Sequence, residues 1–342
     1  MEIVTSLPAD TPLGLVGERV RRIERLGFDT VHVSETAHDP FAVCALAAEH
    51  SARLTVRTSM VVAFARSPMV TACAARDLAA FSGGRFQLGV ASQVRGNIVG
   101  RYSMEWSDPV RRLGDYVGAL RAVFRSFQHG AALEYESESY TFTRLQPYFN
   151  PGPLETGMPQ IWLGGVNRRM CELAGAVADG FVAHPTASHP IALRERLLPA
   201  LTAGAERAGR DGVPRIVVVP KVITGADRAA LDAKREAVRS ELAFLYSTPA
   251  YRGTLDLLGF GETADRLIAG AAAKEWATLP ALLGDEALAA LVPQGTYREL
   301  PELLHEWYSG SCQGISLAVP EDAEDDEDFR VMLAELRRRS VA

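Results

Sequence analysis

Cysteine is scarce in this 342-residue chain, and the four present (Cys44, Cys73, Cys171 and Cys312) form no CxxC pair. Their spacing builds neither a disulfide framework nor a zinc site, and it suits a reducing cytoplasm. Excess positive charge is absent as well. Lys and Arg number 36 against 42 Asp and Glu, a formal net charge of −6. Such a chain has no global field to hold a phosphate backbone, which argues against DNA or RNA as the main partner. Long apolar runs are also missing. The longest, Phe41 to Ala48, falls far short of the ~20 residues that cross a bilayer. The opening MEIVTSLPAD lacks the basic and apolar regions of an export signal. The expectation is a cytoplasmic protein with no membrane association. What is present, 47% hydrophobic and 23% charged residues, can bury a full core without staples.

Short β-branched runs alternate with amphipathic helical stretches, the pattern of βα units feeding a parallel sheet. Eight strands are predicted: 3–6, 30–33, 54–60, 86–90, 160–164, 180–183, 215–223 and 314–318. Between them, Val16, Val20 and Ile23 mark one helix face, and Leu113, Val117, Leu120 and Phe124 another. Eight repeats predict an α/β fold, a (β/α)8 TIM barrel spanning 1–342 as one domain. Such barrels need only about 250 residues, so the surplus goes into insertions. These are predicted at 92–109, 128–159 and 247–308, where the first and third would wall a pocket at the strands' C-terminal ends.

Several motifs carry candidate chemistry. The second strand runs into His32-Val33-Ser34-Glu35-Thr36-Ala37-His38-Asp39-Pro40, which concentrates ionisable groups where a barrel strand meets its pocket. Glu35 and His38 are the catalytic candidates, because a partly desolvated carboxylate suits proton transfer. The structural alternative pairs Glu35 with a nearby arginine. Asp39 before Pro40 is expected to cap a helix. The fifth strand ends in Gly164-Gly165-Val166-Asn167-Arg168-Arg169. Two glycines, a capping Asn and guanidiniums at a helix start suit a phosphate.

Other motifs read as structural. Leu258 to Ala264 matches GxGxxA, but no convincing strand precedes it, so a loop entering a helix is expected. His184 and His189 have no third partner for a metal, no metal site is predicted, and both are read as loop histidines. The acidic run Asp322–Asp328 lacks the ligand spacing of a calcium loop and reads as a solvated helix start. Cys171 reads as a buried, inert thiol.

Three stretches together resemble the bacterial luciferase-like flavin and deazaflavin superfamily. They are Thr58-Ser59-Met60 through Ser67-Pro68, Ala79 to Val90, and Ala174-Gly175-Ala176-Val177-Ala178-Asp179-Gly180. Glu35-Thr36 with His38 to Phe41, the Gln93-Val94-Arg95 turn and Ser247 to Arg252 are similar to its subgroup dependent on the deazaflavin coenzyme F420. The resemblance implies a cofactor ring at the barrel mouth, against a non-prolyl cis peptide at Ser59–Met60. It places Ser59, Met60, Gln93, Arg95, Gly164, Gly165, Asn167 and Arg168 around the cofactor, and the phosphate falls where the helix-start argument puts it. Asn97, Tyr251 and Arg252 become candidates to meet substrate. Arg95, Arg101 and Arg252 become candidates to meet the acidic tail of F420.

Relatives that oxidise alcohols carry Asp-His after the second strand, whereas Glu35-Thr36 stands there in this chain. The expected activity is therefore a reductase that moves hydride from reduced F420 to a polarised C=C or C=N bond, with Glu35, or a water it holds, giving the proton. A small metabolite or a dehydroamino-acid peptide is the expected substrate class, and the resemblance implies a homodimer. The alternatives are a monooxygenase that uses reduced FMN and a catalytically silent binding protein.

Overall fold

The structure of the chain, a computed structural model, describes residues 1–341. Eight parallel strands close into a barrel: β1 Glu2–Ser6, β2 Thr30–Val33, β3 Thr55–Thr58, β4 Phe86–Ala91, β5 Ile161–Gly165, β6 Gly180–Ala183, β7 Arg215–Val218 and β8 Gly314–Ser316. Each pairs with the next, β8 returns to β1 through Glu2 opposite Gly314, and β3 meets β4 through Val56 opposite Phe86. This is the TIM barrel expected from the eight repeats. Two strands end differently from the sequence expectation. The third stops at Thr58 and resumes as Val61–Val62, and the Ser59–Met60 peptide between them is cis, where the resemblance places it. The seventh stops at Val218, short of Pro220, which has no N–H to give a ladder.

The outer ring is α1 Val16–Leu26, α2 Pro40–Glu49, α3 Pro68–Phe81, α4 Pro109–His129, α5 Arg168–Val177, α6 Leu198–Arg207, α7 Leu300–Tyr308 and α8 Asp326–Val341. Three of them start alike. Asp39, Ser67 and Asp108 accept backbone N–H groups at the starts of α2, α3 and α4, each followed by Pro at the first helical position. The main core lies between this ring and the strands' outer faces.

Inside the barrel, Val4, Trp162, Val182 and Val217 pack together with Met60 and Val219. Because strand side chains alternate, this layer fixes the parity of every strand. Below it a polar plug fills the N-terminal end. Arg57 is fully buried; it donates to Glu2 at 2.7 Å, Gln87 at 2.6 Å and His32 Nε2 at 3.0 Å, and lies 3.5 Å over the Trp162 ring. Above the layer, Ser6, Ser34, His184, Lys221 and Ser316 inherit the inward parity at the C-terminal mouth.

A second core of Ile223, Leu231, Leu242, Tyr246, Leu255, Leu267 and Leu288 stands beside the barrel, over the mouth. The insertion expected at 247–308 is thus drawn differently by packing. Helix Arg228–Tyr246 belongs to this second core, and Leu300–Tyr308 returns to the barrel as α7. Segment 92–108 holds the short helix Arg95–Gly100, and 130–160 carries a small antiparallel hairpin pairing Tyr135 with Phe142. The Leu258–Ala264 motif joins helix Gly253–Leu257 to helix Gly261–Ala272 with no strand before it.

Candidate active site

The loop after β2 is held by a tight ionic cluster. Glu35, 6% exposed, accepts from Arg66 Nη1 with both oxygens at 2.7 Å, from the Val62 amide at 2.7 Å and from the Tyr102 hydroxyl at 3.2 Å. Burial, followed by the Glu35 charge, pushes the Tyr102 phenol up, so it stays a donor. Arg66 also reaches Asp39 at 2.8 Å, and Asp39 caps α2 through the Phe41 and Ala42 amides. These contacts bear directly on the expected role of Glu35, or of a water it holds, as proton donor. Both its oxygens are occupied as acceptors, and the side chain clasps β2, the Val62 turn and segment 92–108. Arg101 adds to the clasp by donating to the Thr36 carbonyl at 2.5 Å.

His38 does not join this cluster. It is half-buried in a narrow crevice beside Leu7, Thr11, Val33 and Val43. Met60 turns across the mouth, its Cε 3.3 Å from where a side chain on Gly164 would begin. Gln93 has φ +60° and binds its own Val94 amide, while Arg95 is exposed at the start of its short helix. The Asn97 carbonyl accepts from Arg101 and Tyr102, so its backbone carries the clasp.

On the other side of the mouth, Gly164 and Gly165 lead into α5. A side chain at Gly165 would meet Met170 Cγ at 2.5 Å, so only glycine lets the strand pass this close to the helix. Asn167 caps α5 through the Met170 amide at 3.0 Å. Arg168 is 83% exposed and pairs with Glu172 at 2.7 Å along the helix. A cavity of about 490 Å³ opens here, lined among others by Asn167, Arg168, Arg196, Tyr251 and Thr254. A helix N-terminus, a side-chain-free strand end and two guanidiniums beside one cavity fit a phosphate-bearing redox cofactor.

His184, read from sequence as a loop residue, sits at this mouth. Its Nδ1 lies 2.8 Å from the Thr186 hydroxyl and 3.3 Å from the Thr186 amide; with Nδ1 accepting from that amide, a neutral ring carries its proton on Nε2. Burial, followed by the Lys221 charge, pushes the imidazole down to about 4. Tyr251 stacks on it with centroids 4.3 Å apart. The signal that could have found His184 is the period of two from Gly180 and Val182. Arg252, one residue after Tyr251, is tied to Asp256 at 3.1 Å and Asp265 at 2.7 Å. As a substrate or tail contact it would have to share its charge with these two carboxylates.

A closed parallel barrel with a cofactor-sized cavity and an ionic clasp at its C-terminal mouth defines the class of TIM-barrel proteins that work at that rim. Residues 2–313 match the luciferase-like monooxygenase family, and the chain belongs to it. It is 39% identical over 294 residues, 86% of this chain and 85% of the relative, to the uncharacterized protein Rv1360 of Mycobacterium tuberculosis. It is 26% identical to a 5,10-methylenetetrahydromethanopterin reductase of Methanolobus tindarius, over 69% of this chain and 67% of the relative. Among solved structures, the coenzyme F420-dependent tetrahydromethanopterin reductase of Methanopyrus kandleri superposes with TM-score 0.78 at 16% identity, over 98% of both chains. The FMN-bound 3,6-diketocamphane monooxygenase component of Pseudomonas putida gives 0.74 at 14%, covering 99% of this chain and 98% of that one. These likenesses make the chain an oxidoreductase at the level of the family. Among the described residues no helix is long and apolar enough to cross a membrane.

Proposed function

We propose that the protein is an F420-dependent oxidoreductase working in the reducing direction on a polarised C=C or C=N bond. The observation that carries this reading is the cavity at the start of α5, just beyond the Gly164–Gly165 strand end, where Asn167, Arg168 and Arg196 would hold the cofactor's phosphate with Glu195 also in the lining. The superposition on an F420-dependent tetrahydromethanopterin reductase, with the sequence likeness to a methylenetetrahydromethanopterin reductase, supports F420 over FMN. When bound, such a cofactor supplies a hydride to one substrate carbon, while the neighbouring atom gains a proton from solvent.

The chain's own residues do the rest. Met60 would support the ring from below. The Glu35–Arg66 clasp holds segment 92–108 over the site and limits water. His184 offers an uncharged Nε2–H to an accepting atom at the rim. FMN with oxygen is the second reading, supported by the superposition on an FMN-bound fold at TM-score 0.74. Pairing of two copies in the cytoplasm completes the proposal, and light scattering on the purified protein tests the pairing.

Titration with F420 and with FMN, followed by absorbance and fluorescence quenching, separates the readings. Saturable F420 binding supports the first; tight FMN binding with none for F420 ends it. Bleaching of reduced F420 by enones, imines or dehydropeptides then tests turnover, and uniform inertness across such a panel points to a silent binding protein.

A further inference from the structure

A second cavity of about 350 Å³ opens at the same end of the barrel, across the mouth from the α5 cavity. It lies between the ends of β1, β7 and β8 and the helix Arg228–Tyr246 of the second core. Ser6 and Ser316 contribute to it, and both face the barrel axis by the parity of Val4 and Gly314. Val219 belongs both to this cavity and to the interior layer that includes Met60. A molecule placed here can therefore extend toward Met60 from the side opposite the phosphate cradle. Much of the wall is apolar, with Val222, Val238, Leu317 and Phe329.

The charges in this wall are uneven in their commitments. Lys221 is in close contact with Glu241, which cancels it. Glu321 stands exposed at the rim. Lys234 is half-buried, and among the described residues no carboxylate lies within ion-pair distance of its ammonium. The Thr224 hydroxyl, nine-tenths buried in the same wall, has no hydrogen-bond partner. An ammonium can only donate, so Lys234 calls for an acceptor, while the sealed Thr224 hydroxyl can take either role. Two lysines against two glutamates sum to zero, so the attraction for an anion is local to Lys234, and a second negative charge on the same molecule would meet Glu241 and Glu321.

We propose that this cleft holds the body of the substrate, and that it selects an apolar molecule bearing a single negative charge, met by Lys234. The inference rests on the reading of the barrel mouth as the reaction site. It adds the substrate class: an aryl or alkyl monocarboxylate rather than a phosphate ester or a neutral molecule.

The test uses 8-anilinonaphthalene-1-sulfonate, an apolar monoanion whose fluorescence rises in an apolar site, on the full chain with and without F420. One saturable site per chain is expected, displaced by 2-naphthoate but not by 2-naphthamide or naphthyl phosphate. Lys234→Gln should weaken binding about tenfold, the scale of one charge-assisted hydrogen bond. Ala237→Glu, which puts a carboxylate into the cavity's own lining, should abolish it, while Lys234→Arg retains it. Equal displacement by the amide, indifference to Lys234→Gln, or absence of a saturable site would overturn the proposal. Displacement of the probe by F420 would do the same, since it would put the probe in the α5 cavity. F420 binding is read by its own quenching, so loss of the cofactor reading with the probe site intact is a distinct result.

Discussion

His184 and Tyr251 pack ring on ring, centroids 4.3 Å apart and planes tilted by 30°, one just past the end of β6 and the other against the second core. The contact docks that core on the barrel, aided by Thr254 and Tyr246, whose hydroxyls both donate to the Thr186 carbonyl. Because the stack and burial exclude water from the imidazole, its ionisation is coupled to the docking.

The sign of that coupling is fixed. Folded His184 titrates at about 4, below its ordinary value of 6.5, so the unfolded chain binds more protons between those values. Stability is full above pH 6.5, falls as pH drops below it, and levels off below about 4. The effect amounts to about 2 to 3 kcal/mol at pH 4.5. His32, fully buried against Arg57, is shifted in the same direction and adds to the acid loss. Urea unfolding at pH 7.5 and 4.5 should therefore show His184→Asn losing less stability on acidification than the parent, by about that amount. Equal losses in both proteins would show that the imidazole is not held neutral.

Glu35 and Arg66 form a pair in which neither side chain is free. Glu35→Gln leaves the Arg66 guanidinium with Asp39 alone, and a loss of about 2 to 3 kcal/mol is expected, less than for a pair with no other partner. Arg66→Met combined with Glu35→Gln should cost less than the sum of the two, because the double change leaves no charge unpaired. Once a substrate is in hand, turnover of Glu35→Gln should fall by less than about tenfold. Loss of a general acid would cost about 100-fold or more, and such a drop would support the carboxyl as proton donor.

Arg57 makes the sharpest stability prediction. Burial pulls its guanidinium down to about 10, so it is still charged at neutral pH, held by Glu2 at 2.7 Å and by the Trp162 face. Arg57→Met leaves the Glu2 carboxylate with Arg215 at 3.4 Å and the Thr30 hydroxyl, and strips His32 and Gln87 of their shared partner, so it should cost about 2 to 4 kcal/mol in urea unfolding at pH 7. F420 quenching by the surviving folded fraction should be unchanged, because the plug lies at the opposite end from the mouth.

The barrel was legible because its strands are short β-branched runs with turn residues between them, and such local signals survive without tertiary information. The Asp39 cap was legible for the same reason, since cap and proline are adjacent. The commitment of Glu35 was not. Its partners Val62, Arg66 and Tyr102 lie on other elements, and only chain closure brings them within 3.2 Å. Arg252 is the intermediate case. Its pairing with Asp256 has helical i, i+4 spacing and could have been read, but Asp265 arrives from the next helix. The second core's boundary escaped because Arg228–Tyr246 is amphipathic like any barrel helix, and which core it joins is decided by packing alone.

The two guanidiniums of the α5 cavity should differ in their effect on cofactor binding. Arg168 is largely exposed and already paired with Glu172, so its charge is screened and shared. Arg196 has no carboxylate partner among the described residues, and its Nη1 lies in the space that a side chain on Gly253 would need. Glycine at 253 thus lets that guanidinium lie against the second core at the cavity's edge. Arg196→Gln should weaken F420 binding about tenfold and flatten its salt dependence, whereas Arg168→Gln should change it only about two- to threefold. Gly253→Val should reproduce part of the Arg196 defect without removing a charge, by displacing the guanidinium. Fluorescence quenching at low and high salt measures all three variants. If Arg168→Gln proves the more damaging, the phosphate lies nearer the helix start than the second core, and the cradle must be redrawn around Asn167.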